Sequence, residues 1–347
     1  MSLKVAIASF AHVHAGSYAH LLASLPDIDV LSADPDGAGA PDPGPRGAEF
    51  AAQFGIPYVD SYDELFAWGP DAVVVTSENS GHRELVERAA AVGAHVLCEK
   101  PLATEVADGE AMLAACEAAG TILMIAYPVR FAPSYAQLRA NVEAGRLGDV
   151  FAILGTNNGK IPYAARQWFT DAKLAGGGAL VDHTVHCADL IDGLTGGASA
   201  TRVYAAANRI LHQDKGVEVE TGGLVTINYD NGLLATIDCS WSVPDNGATW
   251  GGVSLQVTGT NGSVEIEPFV AHVGGTDAAG EVFLPIGGNL DASLLDTFLD
   301  AVRTTGPAQP GQSPAVVPQP DGAVGLRTLK IVDAARRSAA SGQAVDV

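Results

Sequence analysis

The chain has 347 residues, room for two domains at roughly 150 residues each. Its composition, 47% hydrophobic, 17% charged and 6% aromatic, excludes a disordered chain and allows a sizeable core. With 19 Lys and Arg against 40 Asp and Glu, the net charge of −21 argues against nucleic acid and anionic membrane partners.

Apolar runs fall short of the ~18 residues that span a bilayer, and the strand-like start after Lys4 lacks a signal-peptide pattern. A cytoplasmic location is therefore expected. Cys98, Cys116, Cys187 and Cys239 show no CxxC spacing and are expected to be reduced and mostly buried.

In chain order, the first 125 or so residues alternate short apolar runs with helical patterns, the signature of βαβ units on a parallel sheet. The runs at 5–9, 28–34, 72–76, 95–100 and 122–127 predict strands covered on both faces. Helices are predicted over 83–92 and 107–119, stopped by Gly93 and Gly120. The Pro/Gly-rich segment 35–45 predicts a mobile loop after the second strand.

Beyond Tyr127 a helix is predicted over 133–145, then a long irregular region, then period-2 runs at 202–210, 222–230, 232–241 and 253–260. Asn231 and Gly232 join two of these as a hairpin, and Thr260, Asn261 and Gly262 supply another turn. Helices over 294–304 and 322–340 flank a Pro-rich surface loop. The expected fold class is α/β: a doubly wound parallel sheet over 1–127, then an α+β domain over 128–347 with an open, mostly antiparallel sheet. The closing helices are expected to pack back toward the first domain.

A dinucleotide-binding unit carries glycines in its first strand-to-helix turn, where the backbone meets the pyrophosphate. Here Ser9, Ala11 and His14 hold the three glycine positions, in the register that puts Asp34 about 20 residues past the turn. Asp34 is either a turn former before Pro35 or the carboxylate that accepts an adenosine ribose diol. In the second role it repels a 2′-phosphate, and no Arg follows at once, so NAD is preferred over NADP.

Downstream, residues 76–104 read as strand, polar turn, helix and strand, ending in Glu99, Lys100 and Pro101. Such a turn lies at the carboxyl end of a parallel strand, where open α/β sheets place their ligands. With this Glu-Lys-Pro turn, and with the Gly-rich stretch at 176–178 followed by Asp182, His186 and Asp189, the chain resembles the Gfo/Idh/MocA oxidoreductases. Segments 261–268, 296–303 and 325–345 extend the resemblance over nearly the whole chain.

The resemblance implies a Rossmann domain for a nicotinamide cofactor, held by Ser9, Ala11, His14, Asp34, Thr76, Asn79, His82, Glu99, Lys100, Pro101 and Arg130. It implies a catalytic set of Lys100, Asp182 and His186, and homo-oligomers formed through the sheet of the second domain. Alcohol oxidation needs a base at the hydroxyl while hydride leaves the same carbon; Lys100 and His186 are the candidates. Asp182 and His186, four apart, share a helix face.

The expected activity is hydride transfer between NAD and a secondary alcohol or carbonyl of a sugar, cyclitol or related small polyol. The alternatives are an NAD-assisted lyase or glycoside-cleaving enzyme without net redox, and a non-catalytic ligand sensor. His12 and His183 are further substrate candidates, and Trp168 either walls the nicotinamide pocket or packs the core. His12, His14, His183, His186 and Asp182 have metal-ligand chemistry, but hydrogen bonding to substrate is the reading adopted, and no metal is expected.

Overall fold

The structure, a computed structural model, describes residues 2–41, 44–247, 249–277 and 280–347. The chain divides into two compact units: Met1–Tyr127, Pro162–Gly176 and Asp291–Leu329 form one, and Pro128–Ile161, Gly177–Leu290 and Lys330–Val347 the other. Residues 162–176 and 291–329 thus fold with the first unit.

The first half of the chain runs β1 (Leu3–Ala8), α1 (Ala15–Ser24), β2 (Ile28–Ala33), α2 (Gly47–Gln53), α3 (Tyr62–Ala67), β3 (Ala72–Val75), α4 (His82–Ala91), β4 (His95–Cys98), α5 (Val106–Ala119) and β5 (Leu123–Ile125). These five strands form a parallel sheet in the order β2-β1-β3-β4-β5, with the reversal at β1/β3 that marks a doubly wound fold. Every residue of β3 and β4 is buried, the burial that continuous apolar runs of a two-sided sheet require. Gly120 closes α5 at φ +71°, as a C′ residue should. The loop expected at 35–45 opens with one 3-10 turn at Pro35–Gly37; Asp42 and Pro43 lie outside the described residues.

The chain continues through α6 (Pro133–Glu143), β6 (Val150–Gly159), α7 (Ala172–Ala175), α8 (Ala179–Thr195), β7 (Ala200–Asn208), β8 (Gly222–Tyr229), β9 (Leu234–Ser240), β10 (Gly251–Gly259), β11 (Gly262–Ile266), β12 (His272–Asp277), β13 (Gly280–Pro285), α9 (Leu290–Thr305), α10 (Gly322–Ser341) and β14 (Val345–Asp346). The sheet of the second unit has the order β11-β10-β6-β9-β8-β7-β14, with β6 and β9 parallel and the other neighbours antiparallel. The long region read as irregular contains a strand of this sheet, β6. One face of the sheet buries Ile153, Val225, Ile227, Ala235 and Ile237 with Leu180, Cys187, Leu190 and Ile191 of α8. Among the described residues no helix is long and apolar enough to cross a membrane, and the four cysteines are free and buried.

Candidate active site

In the first unit the candidate residues gather at the carboxyl ends of β1 to β4. Ser9, just past β1, has φ +75°, a conformation usually reserved for glycine. The turn therefore takes the backbone path that the glycine fingerprint would supply. Ser9 Oγ donates to Asp34 Oδ1 at 3.0 Å and accepts the Ala11 N–H at 3.2 Å, and Thr76 Oγ1 donates to the Ser9 carbonyl at 2.6 Å.

Asp34 is not the open carboxylate that the sequence suggests. Arg46 Nε donates to its Oδ2 at 2.8 Å, Nη2 to its Oδ1 at 2.7 Å, and the Gly47 N–H to Oδ2 at 2.9 Å. Burial pushes the Asp34 carboxyl up, but the Arg46 guanidinium and the Gly47 N–H outweigh it and hold the group below the usual carboxylate range. Sequence reasoning missed Arg46 because it sought an Arg directly after the strand. Arg46 arrives instead as the residue before α2.

Glu99, fully buried at the end of β4, faces two histidines: His14 Nδ1 at 3.0 Å and His12 Nδ1 at 3.5 Å. Burial pushes Glu99 up, and His12, His14 and Lys100 more than reverse this, holding it far below the usual range. Burial lowers His14, and the adjacent Glu99 carboxylate raises it further than burial lowers it. The donor atoms of His12, His14 and Glu99 lie within 4.8 Å of one another, a set of suitable chemistry for a cation. Their spacing equally suits a histidine–carboxylate pair, and the His14 N–H already donates to His12 Nδ1 at 3.2 Å.

Lys100 is buried, and its N–H donates to Glu99 Oε2 at 3.2 Å. Under this turn His82, whose imidazole burial pushes below its ordinary range, places Nδ1 3.0 Å from the Pro101 carbonyl and 3.2 Å from that of Leu102. His82 thus braces the turn. Asn79 Nδ2 donates to the Ala175 carbonyl at 2.8 Å, just beyond the strand ends. Trp168 is buried: its Nε1–H donates to the Ala11 carbonyl at 2.9 Å and its ring stacks on Phe169 at 3.9 Å.

In the second unit the Gly-rich stretch leads into α8. The Gly178 N–H donates to Glu220 Oε1 at 2.7 Å and the Ala179 N–H to the Glu220 carbonyl at 2.8 Å. Asp182 stands in the first turn of α8 and His186 one turn later, half-buried. Trp241 Nε1–H donates to Asp182 Oδ2 at 3.3 Å, and His183 Nε2 lies 3.3 Å from the same oxygen.

Arg130, expected near the cofactor or the substrate, pairs with acids of α8. Its Nη2 lies 2.7 Å from Asp189 Oδ1, its Nε donates to Asp189 Oδ2 at 3.1 Å, and Asp192 lies 3.7 Å away. The 3-10 turn at Pro128–Phe131 carries the guanidinium onto these acids, because a buried charge needs a partner of opposite sign.

Two family models match the chain: "Oxidoreductase family, NAD-binding Rossmann fold" over residues 10–127 and "GFO/IDH/MocA C-terminal domain" over residues 135–265. The chain is 30% identical to a 1,5-anhydro-D-fructose reductase of Ensifer adhaerens, over 87% of this chain and 88% of that one. It is also 30% identical to D-xylose 1-dehydrogenase (NADP(+)) 2 of Haloferax volcanii, over 87% and 89%. Among solved structures, the aldose-aldose oxidoreductase of Caulobacter crescentus, complexed with glycerol, superimposes with a TM-score of 0.75 at 28% identity, over 100% of both chains.

Proposed function

The chain belongs to the GFO/IDH/MocA family of oxidoreductases, and we propose that it moves hydride between a nicotinamide dinucleotide and a secondary alcohol or carbonyl of a sugar, cyclitol or related polyol. The observation that carries this reading is the Glu99-Lys100-Pro101 turn at the carboxyl end of β4, the edge where open α/β sheets bind ligands. Relatives named for sugar oxidation and reduction support the substrate class.

A bound nicotinamide would supply the hydride acceptor for the alcohol carbon, or the hydride donor for the carbonyl. Lys100 Nζ takes the hydroxyl proton during oxidation and gives it back during reduction. Asp182 orients the polyol through a hydroxyl, and His186 relays the proton. The left-handed Ser9, the small Ala11 and the helix start at His14 suit a dinucleotide diphosphate. Thr76, which ties β1 to β3, supports that turn.

Asp34 makes NAD the expected partner, but Arg46 neutralises the charge that would repel a 2′-phosphate. We therefore expect NADH to bind better than NADPH by a narrow margin. Self-association through the sheet of the second unit accords with apolar side chains on its outer face. Free, buried cysteines accord with a cytoplasmic location.

The test is Lys100→Met in the full chain. With a polyol that the wild type oxidises, turnover falls about 10²- to 10⁴-fold while NADH fluorescence still reports binding. Unchanged turnover removes Lys100 from the reaction.

A further inference from the structure

The geometry around His183 gives that residue a task other than touching substrate. Its Nδ1 lies 2.9 Å from the carbonyl oxygen of Asn157. A carbonyl can only accept, so Nδ1 carries a hydrogen. Its Nε2 lies 3.3 Å from Asp182 Oδ2, and the two side chains are only 6% and 12% exposed. A ring protonated at Nδ1 alone would turn a nitrogen lone pair toward an ionised carboxylate, in surroundings that screen repulsion poorly.

The ring is held in this orientation. Asn157 Nδ2 donates to the His183 carbonyl at 3.2 Å, so one residue of β6 grips both the backbone and the ring of His183. At Gly159 a methyl group would stand 3.1 Å from His183 Cε1, and the missing side chain leaves room for the ring. Asp182 belongs to the first turn of α8, where the helix dipole favours negative charge.

We infer that one proton is shared between His183 Nε2 and Asp182 Oδ2, and that His183 is a positioning residue for Asp182. With Oδ2 committed to His183 and to the Trp241 N–H, the carboxyl group is fixed in one orientation and its charge is compensated. A substrate hydroxyl then meets a carboxyl group held at a defined angle. The consequence for turnover rests on the role proposed above for Asp182; the shared proton does not.

The test uses the full chain labelled with ¹⁵N and ¹³C at neutral pH. His183 ring nitrogens are assigned by their loss in His183→Gln, and the Asp182 carboxyl carbon by its loss in Asp182→Asn. Two protonated ring nitrogens, or a protonated Asp182 beside a ring carrying only Nδ1–H, places a proton between the pair. A ring carrying only Nδ1–H beside an ionised Asp182 overturns the inference.

In turnover of the polyol that the wild type oxidises, His183→Phe lowers kcat/KM about 100-fold. His183→Gln, whose amide N–H can still donate to Asp182, recovers at least about tenfold of that loss. Equal losses in the two variants overturn the positioning role. If the wild type oxidises no polyol, the functional reading fails, and the ring signals still decide the proton.

Discussion

Arg46 shows how one side chain changes the meaning of another. Read alone, Asp34 is an acceptor for a ribose diol; with Arg46 on both its oxygens it is half of a buried ion pair. Replacing Arg46 with Met leaves Asp34 with the Ser9 hydroxyl and the N–H groups of Gly47 and Phe10. We expect a stability loss of about 3 kcal/mol, since removing one partner strands a buried charge. We also expect NADPH to weaken about tenfold more than NADH, a difference of about 1.4 kcal/mol read by nicotinamide fluorescence. Equal weakening of both would separate Arg46 from cofactor choice. A carboxyl group held below its ordinary range lends stability above that range and loses it as pH falls. The Met variant should accordingly unfold with less acid sensitivity than the wild type.

At the scale of elements, the entry to α8 depends on close backbone approach. A Cβ on Gly178 would stand 2.0 Å from the Glu220 carbonyl oxygen, a backbone atom that itself bonds the first helical N–H. Gly178→Ala should therefore cost about 2 kcal/mol in chemical denaturation, by forcing the helix start away from the segment that leads into β8. A variant as stable as the wild type would mean that the strand shifts freely. The sequence made this helix legible because its glycines, Asp182 and His186 are local signals. It hid β6 for a physical reason. The inward positions of β6 include Gly155, Asn157 and Gly159, and a methyl at Gly155 would lie 3.1 Å from Cys187 Sγ. A helix packed that close excludes the apolar alternation by which a strand is recognised. Arg46 was hidden differently: no local pattern says that a residue twelve positions on will fold back onto Asp34. Ser9 was visible as a missing glycine, but its left-handed backbone was not.

At the scale of the molecule, charge and apolar surface pull in opposite directions. Leu154, Leu224, Leu234 and Tyr204 are about half exposed on the sheet face turned away from α8, with Thr226, Asn228, Thr236 and Asp238 opposite or between them. Large apolar side chains exposed among polar ones on one open sheet face suit a protein contact. A net charge of −21 means that two copies repel, and ions screen that repulsion over about 8 Å at physiological salt. Self-association through this face should thus strengthen as salt rises, whereas a contact built on ion pairs would weaken. Leu224→Glu places a charge in the middle of the face, beside Asp238 on the neighbouring strand. The variant should sediment as a monomer with an unchanged circular dichroism spectrum, because Leu224 contributes little to the core. If it sediments as the wild type does, the copies meet elsewhere, and the apolar face needs another occupant.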